Sequence, residues 1–214
     1  DDLLFDGRSL AAWPSGDVVV APSWQEGILL VDINDPQATT WISMESKEGE
    51  VKHFSPDEMG NEREDVLDEL ADAVIIGLRD YCQKSGIEQI VLGLSGGIDS
   101  AVAACVAAEA VGPENVLGIS MPSRFSSQHS MDDAKYTAEA LGMEYATISI
   151  DSHHSGIEQH LEQMLEEGSK VAAENIQSRL RGILVMAHAN AQGRMAIATG
   201  NKSELAQGYC TLYG

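Results

Sequence analysis

The residues best suited to chemistry lie in one short stretch, S-G-G-I-D-S at residues 95–100. The apolar run 90–94 before it has the length and β-branched content of a buried strand, and the alanine-rich run 101–108 after it has strong helix propensity. A glycine turn between a strand and a helix N-terminus presents backbone N–H groups and partial positive charge to an anion. The stretch therefore predicts a phosphate site; the alternative is an ordinary strand-to-helix turn with Asp99 as a cap.

The side chains of this stretch narrow the chemistry. It is not a Walker A loop, because no Gly-Lys-Ser/Thr sequence follows it. Ser95 and Ser100 offer hydroxyl donors, and Asp99 offers a hard oxygen suited to Mg²⁺. S-G-G-I-D-S resembles the pyrophosphate loop of ATP pyrophosphatases, which adenylate a carbonyl oxygen and release pyrophosphate. That superfamily includes NAD synthetases, GMP synthetases, asparagine synthetases and tRNA-thiolating enzymes, and the loop alone does not choose among them.

Two later stretches carry further candidate residues. Asn175 and Arg179 are four residues apart in an amphipathic helical pattern and share a face, where an amide and a guanidinium suit a ligand with hydrogen-bonding and anionic parts. A solvated helix face is the alternative for this pair. The stretch 199–204, T-G-N-K-S-E, follows a short strand. Glu204 is therefore either a dipole-stabilised cap or a second carboxylate for Mg²⁺ held by Asp99.

The elements that must position these residues alternate along the chain. Apolar runs predict strands at 90–94, 116–121, 145–150 and 195–198, and helical patterns occupy 62–84, 101–108, 131–141, 156–167 and 175–190. Ser130 is the expected N-cap of the helix 131–141. This alternation predicts an α/β fold with a doubly wound parallel sheet, in which ligand loops lie at the carboxyl ends of the strands.

The beginning of the chain has a different pattern. Strands are expected at 3–5, 18–21 and 28–32, with a turn at 13–17, and the Pro-, Gly- and acid-rich stretch 34–60 has the composition of a linker. Two or three strands cannot close a core alone. The piece 1–33 is therefore expected to belong to a larger sheet.

Composition limits the classes of partner. The chain has 34 acidic and 13 basic residues among 214, a formal charge of −21, which opposes nucleic-acid binding. No apolar run approaches the length of a membrane span. Cys82, Cys105 and Cys210 are widely spaced, and we expect each to be a small buried hydrophobe and the protein to be cytoplasmic. The histidines at 153, 154 and 160 are expected in surface or capping roles rather than at a metal.

Four segments in order resemble NAD synthetases over residues 62–214: G-L-S-G-G-I-D-S, M-P-S-R-F-S-S, E-N-I-Q-S-R-L-R-G and T-G-N-K-S-E-L-A-Q-G-Y-C-T-L-Y-G. T-G-N-K-S-E and T-L-Y-G favour the glutamine-dependent branch, since ammonia-dependent members usually carry a lysine where Leu212 stands. D-L-L-F-D-G-R-S-L and G-I-L-L-V-D-I near the beginning resemble the last strands of the nitrilase-like glutaminase domain of that branch. The predicted organisation is therefore the end of a nitrilase-like domain at 1–33, a linker at 34–60 and a synthetase domain at 61–214.

The resemblance implies an activity: ATP-dependent amidation of deamido-NAD to NAD through an acyl-adenylate, with release of AMP and pyrophosphate and with ammonia from glutamine. It also implies an adenine nucleotide alpha hydrolase-like fold and a homo-oligomer formed through the synthetase domain. Another amidating ATP pyrophosphatase, such as a GMP synthetase, and an inactive nucleotide-binding fragment are the alternatives. The family continues beyond the position of Gly214 for a long stretch, which is expected to complete the sheet and the dinucleotide site.

The resemblance also implies roles for individual residues. Deamido-NAD would contact Asn175, Arg179 and Glu204, and Mg²⁺ would bind Asp99 and Glu204. None of the family's glutaminase Glu, Lys and Cys residues maps onto this chain. The implied ATP-binding residues are Gly93, Leu94, Ser95, Gly96, Gly97, Ile98, Asp99, Ser100, Met121 and Thr199.

Overall fold

The computed structural model describes residues 4–44, 53–54, 66–167 and 170–211. The chain divides into two compact units, Asp1–Gly77 and Leu78–Gly214. In the first unit β1 (Leu10–Ala12) and β2 (Val18–Val20) form an antiparallel pair. A second antiparallel sheet contains β3 (Gly27–Leu30), β4 (Thr40–Ser43) and β5 (His53–Phe54), and Pro36–Ala38 forms a short 3₁₀ helix.

Two of the three strands predicted in the first unit are confirmed, as β2 and β3. The strand predicted at 3–5 is wrong where the structure describes it, because Leu4 and Phe5 lie outside any strand. Leu10–Ala12 forms the strand instead. Alanines have low strand propensity, but the turn at 13–17 is closed by hydrogen bonds between Trp13 and Asp17 and between Gly16 and Trp13, and it brings this segment beside β2.

The stretch predicted as a linker contains a strand. Thr40–Ser43 pairs with β3 in the register Leu29↔Trp41, and the buried indole of Trp41 lies directly over Gly27, where a Cβ would come within 2.2 Å of the ring. Aromatic and β-branched residues at 40–42 favour a strand, and this local preference outweighs the linker-like composition around them. The boundaries at 33 and 60 and the nitrilase-like origin of 1–33 stay predictions.

The second unit is a parallel sheet with helices on both faces, as predicted. Its helices begin with α1 (Val66–Ser85), within which the division between the two units falls. The remaining elements are β6 (Ile90–Gly93), α2 (Ile98–Val111), β7 (Val116–Ser120), α3 (Gln128–Leu141), β8 (Glu144–Thr147), α4 (Asp151–Glu167), α5 (Lys170–Gln192), β9 (Met195–Ile197) and α6 (Lys202–Gln207). The strand order in the sheet is β8-β7-β6-β9.

The central strands are apolar on both faces because each face meets a helix layer. Ile90, Leu92 and Val116 pack in one core with alanines of α2 and α3, while Val91 and Ile119 pack in a second core with residues of α5. A strand buried on both faces gives a continuous apolar run rather than alternation. This explains why 90–94 and 116–121 could be recognised from sequence.

Two local predictions within this unit are wrong. The N-cap of α3 is Ser127, whose hydroxyl accepts a hydrogen bond from the Ser130 amide at 3.1 Å, so the helix begins three residues earlier than expected. α4 begins at Asp151, five residues before the helix expected at 156–167, so residues 153 and 154 lie in its first turns.

Among the described residues, no helix is both long and apolar enough to cross a bilayer.

The order of the strands locates the ligand crevice. β7 follows β6 on one side, whereas β9 pairs with β6 on the other, in the register Leu92↔Ile197. The chain therefore changes direction across the sheet between β6 and β9. Crevices at such a switch point, outside the carboxyl ends of the strands, are the usual ligand sites of open α/β sheets. The segments 94–97 and 198–201 border this crevice.

Gly96 is held at this edge by close contact with the first turn of α3. Its φ is +80°, and a Cβ there would come within 2.1 Å of the Ser130 carbonyl oxygen. Only glycine satisfies both the positive φ and this approach. The sequence indicated a tight glycine turn, and the structure adds the backbone against which it packs.

We expect Gly96→Ala to destabilise the protein more than Gly193→Ala. Gly193 has a similar φ of +67°, but no neighbouring atom of the described residues lies within 4 Å of where its Cβ would stand. An alanine there therefore costs about 1–2 kcal/mol of backbone strain alone. At Gly96 the clash with a backbone carbonyl adds to that strain, and we expect at least about twice the loss. Thermal denaturation followed by circular dichroism measures both, and equal falls in midpoint would contradict the packing argument.

Candidate active site

The loop between β6 and α2 is braced by its own serines. The buried Ser100 hydroxyl donates to the Gly97 carbonyl at 2.9 Å and accepts from the Ser95 amide at 3.2 Å. The Ser95 hydroxyl accepts from the Gly97 amide at 3.1 Å and lies 3.1 Å from the Ser100 hydroxyl. The serine hydroxyls predicted as phosphate donors therefore make hydrogen bonds within the loop and stabilise its conformation.

The N-terminus of α2 has no side-chain cap. Its N-cap is Gly97, and the Ala101 amide donates to the Gly97 carbonyl at 3.1 Å. The amides of 98–100 therefore precede the helical hydrogen-bonding pattern and need partners from outside the helix. Asp99 is a helical residue of the first turn rather than the cap, so the ordinary-turn alternative is wrong in that detail. A bare helix start of this kind favours an anion.

Asn201 joins the loop after β9 to the start of α2. Its side-chain amide donates to Asp99 Oδ1 at 3.3 Å, and its Oδ1 accepts from the Glu204 amide at 2.9 Å. The Asn201 backbone amide donates to Glu204 Oε2 at 3.1 Å, which completes a capping box for α6. Glu204 thus takes part in capping α6, which was one of the two roles predicted for it. Its carboxylate and that of Asp99 both accept hydrogen bonds from Asn201.

The donor chemistry at this point fits Mg²⁺. Mg²⁺ prefers oxygen ligands and is commonly held by one or two carboxylates together with substrate phosphates. Asp99 is exposed and Glu204 is half-buried. Within the described ranges there is no group of three or more His, Cys, Asp or Glu side chains that could hold a metal. The pair therefore suits a metal that arrives with a phosphate ligand better than a structural metal centre.

The remaining residues predicted for ATP lie at the same edge of the sheet. The half-buried Thr199 follows β9 by two residues, and the register Leu92↔Ile197, continued by two positions, would bring it level with Leu94. Met121 is buried at the end of β7, and its Cε would lie 3.1 Å from a Cβ on Gly93. The carbonyl of Met121 accepts from Arg181 Nε at 3.2 Å.

Arg181 is a site residue that the sequence did not reveal. It stands next to the buried Leu180 on α5, and burial lowers the pKa of its guanidinium, which nevertheless stays protonated. The pattern had placed it off the apolar stripe with the polar residues of this helix. Leu184, three positions further along and on the same face, packs against the core and is the sequence signal that Arg181 lies at the edge of the inward face.

Asn175 and Arg179 lie near the beginning of α5. Asn175 is half-buried, and its Oδ1 accepts a hydrogen bond from the Thr211 hydroxyl at 2.8 Å. Arg179 is exposed one turn further along the same helix. The structure thus brings Asn175 together with the segment that follows α6, a contact that spacing alone did not predict.

Arg124, the cation of the M-P-S-R-F-S-S segment, is held by α4. Its backbone amide donates to Asp151 Oδ1 at 2.6 Å, and its guanidinium donates to Glu158 Oε2 at 2.5 Å and lies over the Phe125 ring at 4.9 Å. His154 is only 1% exposed, with Nδ1 3.6 Å from Glu158 Oε2. The surface or capping role predicted for His154 is therefore wrong.

Other cations are paired with acids in the same way. The pairs are Arg8 with Glu69, Lys84 with Asp80 and Arg194 with Glu144.

The three cysteines differ in exposure. Cys82 is buried, as predicted, and burial raises the pKa of its thiol. Cys105 and Cys210 are exposed, contrary to the prediction.

Three comparisons place this geometry among known proteins. A glutamine-dependent NAD(+) synthetase of Rhodobacter capsulatus is 42% identical, over all of this chain and 37% of its own length. The solved glutamine-dependent NAD+ synthetase of Acinetobacter baumannii, in complex with ADP, has a TM-score of 0.81 at 33% identity and covers all of this chain and 38% of that chain. The NH3-dependent NAD synthetase of Campylobacter jejuni has a TM-score of 0.63 at 30% identity, over 71% of this chain and 64% of that chain.

The chain therefore spans well under half the length of the glutamine-dependent proteins that it matches. The NAD synthase family model matches residues 70–214, which include the β6 loop, the polar face of α5 and the α6 cap. Since that match covers more than half of the chain, the chain belongs to the NAD synthase family.

Proposed function

We propose that this chain is the nucleotide-binding part of an enzyme that amidates deamido-NAD to NAD with ATP. The observation that carries the proposal is the crevice between β6 and β9. There an uncapped helix start lies beside two carboxylates, Asp99 and Glu204, that hydrogen-bond to the same asparagine. The family match over 70–214 and the full coverage by glutamine-dependent relatives support it.

ATP would bind along residues 93–100 with its phosphates against the free amides of 98–100, since these amides and the α2 dipole favour negative charge. The adenine would lie near Met121, whose position Arg181 fixes, and Thr199 would contact ATP from across the crevice. These assignments rest on the family resemblance together with the shared edge of the sheet.

Mg²⁺ would be held by Asp99 and Glu204 and by ATP oxygens. When bound, it would neutralise charge on the phosphates and so favour departure of pyrophosphate. Asn201 orients both carboxylates through the hydrogen bonds already described.

Deamido-NAD would contact Asn175, Arg179 and Glu204. The exposed Arg179 supplies a cation for an anionic part of the dinucleotide, and Asn175 supplies a hydrogen-bonding amide one turn away.

The chemistry needs little covalent participation by the protein. The nicotinate carboxylate oxygen attacks the α-phosphorus of ATP, the bond to pyrophosphate breaks, and an acyl-adenylate forms. Ammonia then attacks the carbonyl carbon, loses a proton and displaces AMP to leave the amide. The loop amides and the positioned substrates provide electrostatic stabilisation and proximity. Deamido-NAD-dependent pyrophosphate release tests this function, and release that depends on xanthosine monophosphate instead would indicate a GMP synthetase.

The nitrogen source and the assembly follow from the same proposal. Ammonia would come from glutamine hydrolysed by a nitrilase-like domain, of which 1–33 would be the last strands. The synthetase domain would be 61–214, and the stretch 34–60 between them contains β4, which pairs with β3. The protein would be a homo-oligomer formed through the synthetase domain.

Asp99→Asn should lower Mg²⁺-dependent pyrophosphate release about 100-fold in the intact protein, because a metal ligand is worth several kcal/mol of charge stabilisation. Asparagine preserves the side-chain shape and the Asn201 neighbour. Asp80→Asn on α1, which removes a carboxylate paired with Lys84, is the matched control and should be unaffected. Turnover of Asp99→Asn with the Mg²⁺ dependence of the wild type would refute the metal assignment.

Arg179→Ala should raise the KM for deamido-NAD about tenfold or more, since a hydrogen bond to a charged group is worth about 1.5–3 kcal/mol. The KM for ATP should change much less, because ATP lies at the β6 loop. Steady-state kinetics with each substrate varied measure the partition. Lys135→Ala, which removes an exposed cation paired with Glu139 on α3, should alter neither value. A larger effect of Arg179→Ala on ATP would reverse the assignment.

The 214-residue chain alone should release no glutamate from glutamine, whereas free ammonia should replace glutamine in the intact protein. A glutaminase needs an activated thiolate, and burial keeps the Cys82 thiol protonated at neutral pH because it raises the pKa. Glutamate assay of the chain measures this. Release of glutamate that is lost on mutation of any of the three cysteines would show that a nucleophile lies within this chain.

A further inference from the structure

The side-chain amide of Asn175 is oriented by another side chain. Thr211 lies 36 positions along the chain and beyond α6, and its hydroxyl donates to Asn175 Oδ1 at 2.8 Å. Both residues are half-buried. An asparagine amide can otherwise present either its oxygen or its nitrogen after a half-turn about the terminal torsion. In this structure Oδ1 is the amide atom that faces Thr211 and accepts the hydrogen bond from its hydroxyl.

This orientation determines what Asn175 offers to a ligand. With Oδ1 accepting from Thr211, the Nδ2 group remains as the ligand-facing part, and Nδ2 is only a donor. The complementary group on the ligand must therefore be an acceptor, such as a carboxylate, phosphate or ribose oxygen. A dinucleotide with a nicotinate carboxylate carries several of these.

Thr211 follows the end of α6 by four residues. Gly208 adopts the left-handed conformation that ends the helix, and the Tyr209 amide donates to the Glu204 carbonyl at 2.8 Å. The beginning of the same helix is capped by Asn201, which also donates to Asp99. A short helix capped at both ends therefore lies in the chain between Asn201, which contacts the β6 loop, and Thr211, which contacts Asn175.

We propose that Thr211 is a positioning residue that orients the Asn175 amide as a hydrogen-bond donor to deamido-NAD. This inference rests on the proposed function, because it concerns the dinucleotide of that reaction. Thr211 acts through Asn175, and its contribution comes from its hydroxyl. A side chain of the same shape without the hydroxyl should therefore not orient the Asn175 amide, whereas serine should orient it.

Thr211→Val and Thr211→Ser in the intact protein test the proposal. Valine keeps the shape and removes the donor, so the KM for deamido-NAD should rise about fivefold, the usual effect of one hydrogen bond. The KM for ATP and kcat at saturating deamido-NAD should stay within about twofold. Serine should restore the wild-type KM. Cys210→Ala, at the adjacent exposed position, is the matched control and should change none of these values.

Asn175→Asp provides a second test that does not depend on Thr211 variants folding. Aspartate still accepts from Thr211 but has no donor for the ligand and adds a negative charge, so it should weaken deamido-NAD binding at least as much as Asn175→Ala does. Wild-type affinity in Asn175→Asp, or an unchanged KM in a folded Thr211→Val protein, would overturn the proposal. If the wild-type protein neither binds deamido-NAD in calorimetry nor releases pyrophosphate with it, the proposed function fails instead, so the two failures are distinguishable.

Discussion

The unsatisfied amides at the start of α2 are the constraint on which this site depends. A helix must leave its first N–H groups without intrahelical partners, and here glycine occupies the cap position where Ser, Thr, Asp or Asn would usually supply a partner. The hydrogen bonds that a capping side chain would accept from these amides can therefore be made by a ligand. The serines of the loop hold this arrangement open by hydrogen-bonding to each other and to the loop backbone.

The sheet order then determines what faces those amides. Because β9 lies beside β6, the segment after β9 reaches the same edge and delivers Asn201 to Asp99. Arg181 comes to that edge from a long helix on one face of the sheet, and α3 closes over Gly96 at the same edge. Residues 102 positions apart therefore form one site.

The sequence was most informative where one local rule decides the outcome. The buried strands, the glycine turn and the α/β class follow from apolar runs and helix propensity, and the four family segments point to Asp99, Thr199 and Glu204. The pairing of Thr211 with Asn175 and of Arg181 with Met121 depends on tertiary packing, which periodicity does not encode. The strand at Thr40–Ser43 was not predicted because prolines and glycines on either side give the stretch the composition of a linker. Ser127 could not be identified as the N-cap of α3 because several serines precede that helix and only backbone geometry distinguishes among them.

The pairing of cations with acids has a consequence for how substrates reach the protein. Arg8, Lys84, Arg124 and Arg194 are paired with carboxylates of the chain. The formal charge of the chain is −21, and under the proposed function the site would admit two polyanions. At long range the field repels them, whereas attraction from the helix start and Arg179 acts only over a few ångströms. Dissolved salt screens the long-range part more strongly than the short-range part, because the Debye length is about 8 Å at physiological ionic strength. Encounter with anionic nucleotides should thus become faster as ionic strength rises from low values, the reverse of the behaviour of proteins that attract nucleic acid.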